Sequence, residues 1–194
     1  MSRELDEQLK TAKQAVFARK LFNYSYISIM LIAFVYGLFC YDLAEIEHGR
    51  LYFEKTGISL TLPHGWEPDT QREGCLVVLF PEGENPPRLP AILVRVLYLP
   101  EEIEESTFYH GQMKRAIGHI NYVGSTFEEI EINGMACVHF TAADHVGDPY
   151  PRAEGWFIKD EERTIAVIGR AESGEFEELR PLFEDVACSL RVER

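Results

Sequence analysis

Residues Thr126–Gly169 read TFEEIEINGMACVHFTAADHVGDPYPRAEGWFIKDEERTIAVIG. Thr126–Ile132 and Met135–Ala142 carry alternating patterns on either side of Asn133-Gly134. Asn-Gly suits a two-residue type I′ turn because both central residues need positive φ, so the pair predicts a β-hairpin. The polar loop ADHVGDPYP then leads into Arg152–Lys159, and Asp160–Glu162 makes another tight turn into the β-branched strand Thr164–Gly169. Tight turns join antiparallel neighbours, whereas parallel strands need long crossovers. The stretch is therefore expected to be an antiparallel meander.

Working outward, Phe176, Leu179, Leu182, Phe183, Val186 and Leu190 recur at helical spacing after the meander. Pro181 in that stretch is expected in a first turn or at a kink, since proline lacks the amide that an inner helical turn uses. Before the meander, Tyr109, Met113, Ala116, Ile117 and Ile120 share one helical face over 106–120, with Ser106 or Thr107 as cap. Further upstream, Cys75–Phe80 and Ala91–Leu99 read as strands around a turn-rich loop, PEGENPPRLP. Both alternating sets of the second are largely apolar, which predicts cover on both faces. Tyr52, Phe53, Ile58, Leu60 and Leu62 alternate around Thr56-Gly57 as an opening hairpin, and Pro63-His64-Gly65-Trp66 ends it, folding the indole over the hairpin. Strand runs with segregated helices indicate α+β, with helices on both faces of one antiparallel sheet.

The order of motifs can be matched to a family. Phe53, Gly57, Ser59, Pro63, Gly65 and Trp66 open the domain; Ile132, Asn133, Gly134, Cys137 and Phe140 mark the central hairpin; Phe176, Leu179, Pro181 and Phe183 mark the last helix. Together they resemble PsbP-like and DcrB-like domains over about Leu51–Leu190. The resemblance implies an α/β/α sandwich and a mostly non-catalytic role as an extrinsic subunit, assembly factor, envelope lipoprotein or chaperone. The matched residues are turn and core positions, so no functional site is carried over with them.

Ahead of the domain lies LFNYSYISIMLIAFVYGLFCY, Leu21–Tyr41, without an ionised side chain. As a helix it would span about 31 Å at 1.5 Å per residue, against about 30 Å of bilayer hydrocarbon. A transmembrane helix is expected, with Leu21, Tyr24, Ile27, Leu31, Val35, Phe39 and Tyr41 among the residues in lipid or at its interfaces. A cleaved signal peptide fits poorly, because the apolar run is long, twenty residues precede it and no small-residue cleavage site follows. Residues 1–20 form an amphipathic head with Leu5, Leu9, Ala12 and Val16 on one face. Lys10, Lys13, Arg19 and Lys20 crowd the amino-terminal flank, against Arg50 and Lys55 beyond the span. The positive-inside rule then places the head in the cytoplasm and the domain in the periplasm, a lumen or the exterior. The organisation is head 1–20, span 21–41, acidic linker 42–50 and soluble domain 51–194.

The chain carries a formal charge of −13, and residues 42–194 hold 29 Asp/Glu against 14 Lys/Arg. Such a field disfavours nucleic acid and would attract cations or basic protein surfaces. Cys75, Cys137 and Cys188 lie in apolar contexts and are expected as buried thiols rather than a disulfide framework. His110 and His119, nine residues apart on one helix, fall on opposite faces and cannot share an ion. Asp144-His145 near Gly147-Asp148 is the best local cluster for a divalent cation, and a turn explains it as well. No nucleophile elbow, phosphate-binding glycine loop, HExxH or dinucleotide fingerprint occurs, so no cofactor or metal is assigned. Tyr150, between Pro149 and Pro151, is the candidate partner contact. The functional expectation is a non-catalytic subunit or assembly partner of a membrane complex, bound to the bilayer through 21–41 and to other membrane subunits. The alternatives are a module or chaperone for an apolar peptide or lipid, and, behind that, a metal-dependent enzyme.

Overall fold

The computed structural model describes residues 44–193 apart from 85–88, 118–122, 144–150 and 162. The head, the span Leu21–Tyr41, His119, the Asp144-His145 cluster and Tyr150 lie outside the described residues. The chain divides into two units, Met1–Tyr41 and Asp42–Arg194. Among the described residues no helix is long and apolar enough to cross a membrane.

The second unit holds eleven strands and two helices among its described residues. They run β1 (Ala44–Glu47), β2 (Arg50–Phe53), β3 (Ile58–Thr61), β4 (Trp66–Asp69), β5 (Val77–Pro81), β6 (Ala91–Leu97), α1 (Glu105–Ile117), β7 (Val123–Ile132), β8 (Met135–Ala143), β9 (Pro151–Asp160), β10 (Arg163–Glu172), α2 (Ser173–Ser189) and β11 (Arg191–Val192). Seven strands form one sheet in the order β4-β5-β6-β10-β9-β8-β7, and four form another in the order β1-β2-β3-β11. Every pairing is antiparallel. The domain is thus α+β, as expected, but with two sheets.

The meander is as the sequence predicts. Ile132 pairs with Met135 across Asn133 and Gly134, whose φ values of 54° and 78° are those of a type I′ turn. Asp160 pairs with Arg163 across the next turn. The opening hairpin also forms, Phe53 opposite Ile58, but it belongs to the small sheet. Its turn is tied to the carboxyl terminus, where the Glu193 amide donates to the Gly57 carbonyl at 2.7 Å.

Three expectations need correction. Within the stretch expected as a linker, Ala44–Glu47 is a strand, and His48 and Gly49, with φ of 50° and 75°, turn it onto Arg50. Ile46 is exposed, so β1 is held by its backbone ladder and leaves no apolar signature. Trp66 does pack in the same core as Leu51, Phe53 and Leu60, but it does so as the first residue of β4 in the large sheet. Pro181 sits in the middle of α2, which rules out the first turn of the two places expected for it. The carbonyl four residues back, that of Glu177, lacks its usual donor there, and seating the helix on the sheet outweighs that loss.

The two faces of the large sheet carry separate cores. On one face Val77, Ile92, Trp156, Ile158, Ile165 and Val167 meet α2 and the small sheet. On the other, Phe140, Phe157, Ala166 and Ile168 meet α1 through Tyr109, Met113 and Ala116. β6 is buried on both sides over Ala91–Val94, as its apolar run predicts, while Tyr98 and Leu99 emerge past its end.

The carboxyl end of α2 is tied down by side chains from both sheets. Asn133 Nδ2 donates to the carbonyls of Cys188 (2.8 Å) and Leu190 (2.9 Å), and Arg50 Nη2 donates to the Ser189 carbonyl at 2.9 Å. These carbonyls have no partner within the helix, and a cation beside them also meets the negative end of the helix dipole.

Candidate functional site

α1 is seated on the sheet by Tyr109, whose ring stacks on Phe157 of β9 with centroids 4.5 Å apart. The Tyr109 hydroxyl donates to Glu105 Oε1 at 2.6 Å, and Lys159 Nζ reaches the same oxygen at 2.6 Å. Hydrogen bonds from Lys159 and then Tyr109 hold the Glu105 carboxyl below its ordinary range. Burial, reinforced by Glu105, pushes the Tyr109 phenol well above its own. One turn on, His110 Nδ1 lies 2.8 Å from the Ser106 carbonyl, which can only accept, so Nδ1 carries the hydrogen. Its ring leans on Phe127 of β7 at 4.4 Å.

Between the first turns of α1 and strands β7 and β8 this arrangement leaves a cleft of about 400 Å³. Tyr109, Phe127 and Val138 make its apolar floor; Glu104, Glu105, Glu128 and Glu129 surround it with carboxylates. Lys159, the one Lys or Arg lining it among the described residues, is engaged by Glu105. A wider groove of about 650 Å³ follows α2 past Leu62, Pro63, His64, Pro181 and Asp185. β3 borders it through Thr61, which pairs with Arg50 of β2 on one side and whose amide donates to Ser189 Oγ of α2.

On the opposite face lies a buried charged cluster. Glu154 of β9, its side chain 3% exposed, accepts from His139 Nε2 at 2.8 Å and from Arg180 Nε at 3.1 Å to each carboxylate oxygen, with Arg180 Nη2 also 3.1 Å from Oε1 in the ion pair. Burial alone would raise the Glu154 carboxyl, but the hydrogen bonds from His139 and Arg180 outweigh it and hold the group below the ordinary range. A histidine backed by a carboxylate can act as a general base. Here the same carboxylate also clamps Arg180 of α2, and Glu154 is the one side-chain hydrogen-bond partner of the His139 ring among the described residues. The cluster pins helix to sheet.

With that geometry in hand, the chain can be set beside known proteins. No family model and no curated protein matches the sequence. Among solved structures, that of cyanobacterial PsbP from Synechocystis sp. PCC 6803 superposes with a TM-score of 0.52 at 17% identity, covering 74% of this chain and 91% of that one. LpqN of Mycobacterium tuberculosis, involved in cell envelope biogenesis, superposes at 0.54 with 9% identity, covering 71% and 83%. The domain has a PsbP-like fold. At these identities the likeness is one of fold, and it agrees with the resemblance carried by the hairpin, the Trp66 turn and the last helix.

Of the residues singled out from sequence, the PsbP-like domain places His110 at the cleft wall and His139 in the buried cluster, on opposite faces of the sheet. Among the described residues no three His, Cys, Asp or Glu side chains converge as a metal site. Cys137 is buried, and burial pushes its thiol up to about 12, which keeps it protonated and unreactive. Cys75 is half-buried and receives a hydrogen bond from Arg95 Nε at 3.4 Å. Cys188 is exposed, contrary to expectation, because Val186, Ala187 and Leu190 occupy the inward face of the last turn and it projects away from them. The cleft itself was not anticipated. Its one legible sign is that Phe127-Glu128-Glu129 puts charge on both faces of a strand, as an edge strand does.

Proposed function

We propose that this chain is a non-catalytic, single-pass membrane protein whose PsbP-like domain serves as an extracytoplasmic accessory subunit or assembly partner of a membrane complex. The observation that carries this is the open, apolar-floored cleft beside α1, ringed by carboxylates and bordered by a sheet edge, which suits holding a protein segment. The apolar run Leu21–Tyr41 and its basic amino-terminal flank support the anchor and its orientation. The cell-envelope role of LpqN is compatible with an extracytoplasmic domain of this fold. An apolar-peptide or lipid chaperone is the second reading, favoured by the same floor; the four surrounding carboxylates weigh against an anionic lipid headgroup.

The test is extraction of the full chain in mild detergent followed by mass spectrometry of what co-migrates. A stoichiometric membrane-protein partner is expected, and recovery of the chain as a monomer alone overturns the accessory role. Retention in vesicles through an alkaline carbonate wash is expected of the anchor, and release overturns it.

A further inference from the structure

A cleft walled by a helix on one side and a free strand edge on the other is a geometry that accepts one more strand. β7 is the outermost strand of its sheet and pairs only with β8 among the described residues. Phe127, Glu128 and Glu129 all line the cleft. Successive side chains of a strand point to opposite faces, so three in a row can border one space only where it reaches the backbone edge between them. Phe127, tilted against His110 and Phe140, gives an inserted side chain an apolar surface to meet. Glu104, Glu128 and Glu129 make no ion pair with other described residues, and Glu128 and Glu129 are exposed.

We propose, on the accessory reading above, that β7 takes up an extended segment of a partner protein as an eighth strand of the sheet, and that the segment alternates Lys or Arg with large apolar residues. Main-chain hydrogen bonds to β7 hold the segment, its apolar side chains enter the cleft over Phe127 and Val138, and its cations, on the other face of the added strand, meet Glu128, which pairs across from His139. A second copy of this chain is a poor occupant. Its own β7 would bring Glu128, Glu129 and Glu131 against the same residues, and like charges across a strand pair repel.

The test uses the full chain in detergent micelles and a labelled peptide in which Lys alternates with Val and Phe. The peptide is expected to bind, to protect backbone amides of Val123–Ile132 from hydrogen exchange, and to lose affinity about tenfold or more in the double variant Glu128→Gln, Glu129→Gln. Only every other amide of an added strand faces β7. N-methylation of one alternate set should therefore abolish binding, while methylation of the other set is tolerated. Equal binding by both methylated peptides, protection confined to another element, or equal binding of an acidic counterpart overturns the proposal. A partner that co-purifies with the chain and survives both excess peptide and the double variant overturns edge docking while leaving the accessory role intact. Peptide binding at β7 in a chain that recovers no partner sinks the accessory role and upholds the edge site.

Discussion

The two faces of the large sheet are covered differently. α2, seventeen residues long, lies over β9 and β10, and the small sheet completes the layer, so Phe183, Val186, Leu51 and Leu60 are fully enclosed with Ile165 and Val167. α1 has thirteen residues and rests on β8 and β9, reaching β7 through His110 on Phe127 and leaving its outer edge unpaired among the described residues. One face is closed by α2 and the small sheet; the other is left partly open, and there the proposed binding edge lies. Close packing makes a closed face intolerant of added volume, whereas residues around an open cleft can change without loss of fold.

The sharpest test of that contrast is a pair of glycines. A Cβ on Gly169 would collide with Phe183 Cγ, the base of a ring fixed to α2. On Gly155 it would collide with Phe140 Cε1, the far end of a ring on the α1 face. A ring tip can shift further than a ring base, but Phe140 is itself enclosed between Phe127 and Phe157, so Gly169→Ala should cost about 3 kcal/mol and Gly155→Ala about 2 kcal/mol in thermal unfolding of the full chain. Equal losses would mean the faces are equally rigid.

Next in size is the cluster that clamps α2. Arg180→Ala leaves the Glu154 carboxylate buried with His139 alone and should cost about 2 kcal/mol, discounted because Arg180 is 47% exposed. Since folding lowers the Glu154 pKa, its contribution is present above the unfolded carboxylate value of about 4.3 and is lost as pH falls through the folded value. Glu154→Gln should flatten that acid limb of the stability curve; an unchanged limb would remove Glu154 from the account.

Asn133 combines a left-handed turn position with two hydrogen bonds to the end of α2. Asn133→Gly keeps the turn and should cost about 1 kcal/mol, while Asn133→Ala adds backbone strain and should cost about 2 kcal/mol. A Gly variant as stable as the parent would assign the residue to the turn alone. The smallest effect belongs to the open face. Glu104→Gln, Glu128→Gln and Glu129→Gln should each leave stability within about 0.5 kcal/mol, with any loss appearing in partner recovery. Unfolding of these variants would show that the cleft wall holds the fold together.

Much of this is legible from local pattern. The meander could be read because Asn133-Gly134 admits essentially one turn and because Phe140, Phe157 and Val167 sit in strands with clear apolar runs. Helix positions followed from the spacing of Tyr109 and Met113, and of Phe176, Phe183 and Val186. β1 and β11 escaped because they are short and exposed, defined only by which backbone they pair with. Cys188 was misplaced because apolar neighbours in sequence do not say which side of a final helical turn faces inward.

By itself the sequence determined the α+β class, the strand-by-strand order of the meander and an uninterrupted apolar run ahead of an acidic domain, since each depends on composition or on residues a few positions apart. Only the tertiary structure decided that the opening hairpin leaves the main sheet, that Glu154 meets Arg180, and that β7 ends the sheet beside α1. Those facts rest on contacts between distant segments, where burial and pairing partners are chosen by the whole chain rather than by any local stretch.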